Sequence, residues 1–319
     1  MDRAALQARL AGPVAYPPTP FTDDDPEAPV DLDAFRRLIR RLVEHGVPAV
    51  TPCGGTGECF SLSTDEWHAV TEAAVQEAGG HALVLASVSG SIGRAIEQAR
   101  AAHRLGCPAA QITMVDPMFG MTGEGAERYN RAVAESADIG FMLYRTSAVP
   151  LSVASARRLA GIGTVIAVKE ESGDVQWFRD FMAAQREENP DRRLAGVCGG
   201  EGLFPYCALE GARAFSTGAV NLVPALSMDL WRAVSDGDRE RIGVIQQRLA
   251  PLAALRARPG RSIPVVKEGL RQLGVFASSA CRPPLSALTP EERAQVEAML
   301  QEWEAAGSFS APRPPTAKA

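Results

Sequence analysis

The stretch TVIAVKEESGD, residues 164–174, carries an apolar, β-branched run (Thr164, Val165, Ile166, Val168) that stops at Lys169. Acid, Ser and Gly follow at once, the pattern of a buried strand ending in a loop. A helical pattern over 174–187 comes next, so the stretch opens a strand–helix unit. That unit recurs along the chain. Strands are predicted near 12–16, 47–52, 82–88, 109–114, 139–144, 164–169, 194–198 and 212–217. The helices that follow them are predicted over 31–45, 63–79, 91–105, 123–137, 152–160, 174–187, 201–210 and 222–236. Ser63 with Glu66 three residues later is a capping box, and Gly46 and Gly106 are helix stops.

Eight such units at about 30-residue spacing predict a parallel sheet, and closing it gives a (β/α)8 TIM barrel of typically about 250 residues. An open doubly wound sheet is the competitor; eight consecutive units without a break in composition favour closure. Beyond residue 237 the pattern is purely helical, over 238–255, 263–273 and 290–305. The expected organisation is a barrel over 1–237, a C-terminal helical extension over 238–306, and a Pro-, Ser- and Ala-rich disordered tail over 307–319.

A net charge of −5 gives no chain-wide attraction to nucleic acid or anionic membrane. The charged N-terminal segment MDRAALQARLAGPV lacks the apolar stretch of a signal peptide, and no apolar run approaches a membrane span, so a cytoplasmic enzyme is expected. The six cysteines (53, 59, 107, 198, 207, 281) form no CxxC pair, and the four histidines lack zinc-site pairing. Free buried thiols are expected, with Cys53 singled out by its place beside a glycine-rich turn. No metal site and no nucleotide fingerprint are present, so neither a metal nor a cofactor is expected.

In a barrel the chemistry sits at the C-terminal ends of the strands. Strand two ends in TPCGGTGECFSLS, five in FMLYRTS, six in VIAVKEESGD, seven in VCGGEG and eight in AFSTGAVN. An amine, a phenol, hydroxyls and exposed amides would thus share one rim. The lysine is the telling member. The chain has only three lysines (Lys169, Lys267, Lys318) among 33 basic residues, so arginine supplies nearly every plain positive charge. Arginine cannot act as an amine nucleophile, whereas a desolvated lysine can attack a carbonyl. Lys169 is therefore either an imine former or a strand-end lysine reaching for solvent. Lys267, within IPVVKEGLRQLG, reads as a surface or packing lysine, which makes Lys267→Arg nearly silent. Tyr144 is either a buried phenol bonded to backbone or a member of the same cavity. GGTGE, Gly54 to Glu58, is either a plain tight turn or a set of amides, with the Thr56 hydroxyl, open to a ligand carboxylate.

With PPTPF (17–21), GGTGE (54–58), Tyr144, Lys169 and RPPL (282–285) assembled, the chain resembles the dihydrodipicolinate synthase / N-acetylneuraminate lyase superfamily over about 300 residues. Its 5-dehydro-4-deoxyglucarate dehydratase subgroup is the most similar, because Gly55 stands where the synthases usually carry a first threonine. The resemblance implies Lys169 as imine former, Tyr144 as proton shuttle, and Gly55 and Thr56 as the carboxylate-binding turn, with no cofactor and a dimer or tetramer as the assembly. Three features depart from the pattern. Phe119 replaces the relay tyrosine of the synthases, Arg145-Thr146 replaces Asn-Arg after the tyrosine, and EESGD replaces an Asp-Gly run after the lysine.

The expected reaction is a Schiff-base dehydration of a 2-keto-3-deoxy sugar acid, followed in that subgroup by loss of CO2 to give 2,5-dioxopentanoate. Gly55, Thr56, Gly57, Gly200, Ser216 and Thr217 are the expected substrate donors, with Arg145 a clamp for an acid group. Two rivals stand beside it: a pyruvate-dependent aldolase on the same lysine, and a catalytically silent barrel that binds a sugar acid.

Overall fold

A computed structural model describes residues 2–113, 120–188 and 193–309. Phe119 and most of the tail expected to be disordered lie outside the described residues. The chain opens with a short helix, α1 (Arg3–Arg9), that the sequence reading lacked. Eight strands follow: β1 (Gly12–Ala15), β2 (Ala49–Val50), β3 (Leu83–Ser89), β4 (Ala109–Thr113), β5 (Gly140–Arg145), β6 (Val165–Glu170), β7 (Ala195–Cys198) and β8 (Ala214–Thr217). They close in sequence order into a barrel, β8 pairing in parallel with β1. The (β/α)8 expectation holds and the open sheet does not.

Between the strands run α2 (Leu32–Glu44), α3 (Thr64–Ala78), α4 (Ile92–Arg104), α5 (Gly123–Ala134), α6 (Val153–Ala160), α7 (Val175–Glu187) and α8 (Phe204–Leu209). After β8 come α9 (Pro224–Asp236) and three further helices, α10 (Arg239–Arg256), α11 (Ser262–Gln272) and α12 (Pro290–Ala305). The caps are those the sequence announced. Ser63 and Glu66 form the capping box of α3, which stops at Gly79 with φ 52°.

Strand alternation sorts the apolar residues into two cores. Val14, Leu83, Leu85, Ala109, Met142, Val197 and Ala214 fill the barrel interior, joined by Leu6 of α1 and Leu10 just after it. α1 is pinned there by Gln7, whose Nε2 donates to the carbonyls of Ile166 and Arg193, both at 2.7 Å. The opposite face, Phe141, Leu143 and Val168 among others, packs against the helix layer, and a register shift between β5 and β6 puts Val165 there too. Towards the C-terminal end of the barrel the inward positions turn polar: Tyr16, Ser87, Gln111, Tyr144, Lys169 and Ser216 replace aliphatic side chains.

Candidate active site

β5 and β6 place the two central residues side by side. Their register pairs Tyr144 with Lys169 and Arg145 with Glu170. Alternation then sends Tyr144 and Lys169 into the barrel and sends Arg145 and Glu170 to the helix side. Lys169 is only 4% exposed, so its ammonium requires partners. It has three. Glu171 Oε2 lies 2.7 Å from Nζ, and the ring centroids of Tyr16 and Tyr144 lie 3.9 and 4.6 Å away. Ser216 Oγ donates to the same Glu171 oxygen at 3.2 Å.

The two phenols are held differently. The Tyr16 hydroxyl donates to Gln111 Oε1, and Gln111 Nε2 in turn donates to Thr113 Oγ1 at 2.8 Å. Burial, reinforced by the Glu171 charge, keeps the Tyr16 phenol well above its ordinary range. Burial also pushes the Tyr144 phenol up, against the opposing pull of Lys169. Both therefore stand as neutral phenols at neutral pH.

The GGTGE turn follows β2 and enters the cavity through Gly55 and Thr56. Two non-glycine residues flank it in the left-handed region, Cys53 at φ 54° and Glu58 at φ 58°. Such a conformation costs an L-residue about 1–2 kcal/mol, so the turn is held by something. A buried set of contacts does it. Lys267 forms an ion pair with Glu58, both side chains being fully buried, and the Arg282 N–H donates to Glu58 Oε2 at 3.0 Å. Thr19 Oγ1 donates to the Gly57 carbonyl at 2.8 Å. Arg282 also clamps Glu66 with two N–H donors and stacks 4.3 Å from the Phe21 ring centroid. The PPTPF and RPPL segments thus meet around this turn. Lys267 is accordingly not a surface lysine: its Nζ donates to the Ala280 carbonyl at 2.6 Å and lies 4.2 Å from the Phe21 ring centroid. Gly54 is required because a Cβ there would come within 2.8 Å of the Tyr16 ring. Cys53 is a packing residue, with burial pushing its thiol up.

These groups enclose a cavity of ≈90 Å³. Of the residues expected from sequence, Lys169, Tyr144, Gly55, Thr56, Ser216 and Thr217 line it. Gly57 lies behind the turn with its carbonyl bound to Thr19. Gly200 lines a neighbouring surface pocket with Gly202 and Leu203. Arg145 is not a clamp in this arrangement. Its guanidinium pairs with Glu170 at 2.8 Å and Asp174 at 3.1 Å and lies 4.7 Å from the Trp177 ring centroid, outside the barrel. The arginine that does reach the cavity is Arg256, at the end of α10, whose guanidinium covers Gly218; a Cβ on Gly218 would lie 2.5 Å from Cζ. Tyr16, Gln111, Glu171 and Arg256 were missed by the sequence reading; Glu201 lies in the loop of the expected Gly200. Among the described residues no cluster of three or more His, Cys, Asp or Glu is placed to hold a metal ion. Among them, too, no helix is long and apolar enough to cross a membrane.

The fold and the sequence as a whole are shared with known proteins. The model of the dihydrodipicolinate synthetase family matches residues 10–303. The chain belongs to that family. A 5-dehydro-4-deoxyglucarate dehydratase from Pseudomonas putida is 29% identical over 287 residues, 88% of this chain and 93% of that protein. A 4-hydroxy-tetrahydrodipicolinate synthase from Methanothrix thermoacetophila is 32% identical over the same shares, 88% and 93%. The crystal structure of dihydrodipicolinate synthase from Oceanobacillus iheyensis superposes with a TM-score of 0.88 at 27% identity, covering 95% of this chain and 100% of that one. Relatives with two different reactions are thus equally similar, and the family alone does not choose between them.

Proposed function

We propose that the protein is an imine-forming lyase that removes water from a 2-keto-3-deoxy sugar acid. The observation that carries this reading is Lys169, buried at the end of β6 with its amine 2.7 Å from a carboxylate and against two phenol rings. An enclosed amine beside a proton acceptor is what attack on a ketone requires.

The substrate carboxylate is received by the Gly55 and Thr56 amides and hydroxyl, which brings the keto carbon to Lys169. The Lys169 ammonium passes a proton to Glu171, and the free amine attacks C2. The keto oxygen leaves as water, taking back the proton held by Glu171 and a second from the Tyr144 phenol; the nitrogen gives its own second proton to the Tyr144 oxygen as the C=N bond forms, and the iminium remains. Its positive nitrogen acidifies C3. Glu171, again a carboxylate, takes the C3 proton and the electron pair moves into an enamine. The enamine pushes out the C4 hydroxyl, which takes that same proton from Glu171 and leaves as the second water. Glu171 thus serves as the proton carrier and Tyr144 as the donor.

The test is borohydride reduction in the presence of pyruvate or a 2-keto-3-deoxy acid, with peptide mass spectrometry locating the adduct. Trapping on Lys169 supports the reading; no adduct, or one on Lys267, overturns it. The aldolase reading has its own support in synthase-named relatives such as the one 32% identical. Product analysis separates them: loss of water on one side, formation or cleavage of a C–C bond on the other.

A further inference from the structure

The distal end of the cavity is chemically unlike its carboxylate-binding end. Glu201 follows β7, and Arg256 reaches over the end of β8, whereas the amide turn follows β2, three and two strands away around the ring. The two side chains are only 13% and 20% exposed, and Arg256 Nη1 stands 4.0 Å from Glu201 Oε1. Arg256 Nη2 donates to Ser262 Oγ at 3.2 Å, while its Nε is buried without a partner in the structure. The pair is close enough to attract and too far apart for a direct hydrogen bond, and both residues line the cavity.

We propose that this end of the cavity takes a hydroxyl and not a carboxylate, so that the substrate is a short 2-keto-3-deoxy aldonic acid carrying a single acid group. The inference rests on the imine-forming lyase reading and adds the substrate class to it. A hydroxyl both donates and accepts, so it can donate to Glu201 and accept from Arg256 at once. A carboxylate only accepts; placed there it would pair with Arg256 but face Glu201 without a proton between them. The charge balance points the same way. Lys169 and Arg256 are matched by Glu171 and Glu201, so the empty cavity is neutral and the substrate's first carboxylate makes it one unit negative. A second would enter a cavity of ≈90 Å³ already holding two glutamates and one anion, the like-charge arrangement that proteins use to reject a competitor. This substrate class differs from the diacid of the 5-dehydro-4-deoxyglucarate dehydratase subgroup. With no second carboxylate there is no CO2 to lose. A proton from C3 and the hydroxyl from C4 leave together as one water, and every C–C bond remains.

The full-length protein is assayed with 2-keto-3-deoxypentonate, 2-keto-3-deoxyhexonate and the diacid 5-dehydro-4-deoxyglucarate, products being read by mass spectrometry. The expected result is a kcat/KM at least about tenfold higher for the monoacids, with loss of water alone. Glu201→Gln, which removes the like charge and keeps the shape, should narrow that ratio by about tenfold. Equal or better turnover of the diacid by the wild type, or release of CO2, would overturn the proposal while leaving the lyase reading intact. A ratio unmoved in Glu201→Gln would overturn the assignment of Glu201 as its cause. The wild-type ratio needs no variant, so a poorly folded mutant does not block the test. Failure of borohydride to trap any keto acid on Lys169 would instead remove the lyase reading, and this inference with it.

Discussion

Lys267→Met is a change of nearly equal length that deletes one charge from a site with no solvent. Lys267 and Glu58 are both fully buried; the ammonium also donates to the Ala280 carbonyl at 2.6 Å and rests 4.2 Å from the Phe21 ring centroid. Removing the lysine leaves the Glu58 carboxylate with the Arg282 N–H, at 3.0 Å, and the Cys281 thiol, and, among the described residues, no cation paired with it in the site. Breaking a buried pair by removing one partner costs about 3–5 kcal/mol, a large part of a total stability of roughly 5–15 kcal/mol. Lys267→Arg keeps the charge but must fit a bulkier head into closed space, for about 1–3 kcal/mol; it is not the silent change that a surface lysine would give. The assay is urea unfolding at pH 7 followed by tryptophan fluorescence, with ΔG from linear extrapolation and the slope checked for constancy. Glu58→Gln should be similarly destabilising, and the double variant should lose less than the sum of the two, because it removes both charges. Because Glu58 ends the 55–57 turn, KM for the keto acid should rise in every variant that still folds. A Lys267→Met protein within about 0.5 kcal/mol of wild type would refute the reasoning, and the pair would then contribute no net stability.

The remaining predictions concern the cavity and acid stability. Lys169→Arg should abolish turnover and borohydride trapping while circular dichroism stays unchanged, since charge is kept and the nucleophile is lost; residual activity would move the chemistry elsewhere. Glu171→Gln and Tyr144→Phe should each lower kcat by about 10²–10⁴-fold with smaller effects on KM, and imine formation at the wild-type rate in Tyr144→Phe would make the phenol structural. Thr56→Val should compound the Tyr144→Phe loss less than additively if the two groups work as one unit, which a double-mutant cycle on kcat measures. For acid stability, burial raises the Glu268 carboxyl, but hydrogen bonds from Arg271 and Gln272 outweigh it and bring it down to about 2. A depressed folded value means the unfolded chain binds the proton first. The contribution of Glu268 is therefore complete above the ordinary glutamate range near 4.3 and is lost as pH falls towards 2. Glu268→Gln should flatten the fall in urea midpoint across that window; an unchanged slope would show that other carboxylates set it.

How much of this was legible in the sequence depended on whether the signal was local. Helix periodicity, Ser63 with Glu66, and the glycine stops act within one turn, so the helices and the eightfold rhythm could be read directly. The scarcity of lysine singled out Lys169, and its strand placed it on the rim. The errors came where parity or distance decided. Tyr144 and Arg145 are neighbours in one strand, so only one of them could face the cavity, and the pairing of Tyr144 with Lys169 makes it the phenol. The same parity, counted on from Lys169, puts Glu171 beside it and Glu170 with Arg145 on the other side; the signal was present in VKEES and went unused. Tyr16 was also within reach, one residue past a strand whose Val14 already faced inward. Arg256 was not. It sits at the end of a helix whose own pattern says only that it packs, and its arrival over Gly218 depends on how α10 docks against α9 and α11. Nor could Lys267 be read from its helix, because the charge that keeps it buried is Glu58, supplied by the glycine turn more than 200 residues earlier in the chain. The strand ends that line the cavity are thus local features. Arg256, which lines the cavity, and Lys267, which holds the turn, come instead from the C-terminal helices through contacts no local pattern records.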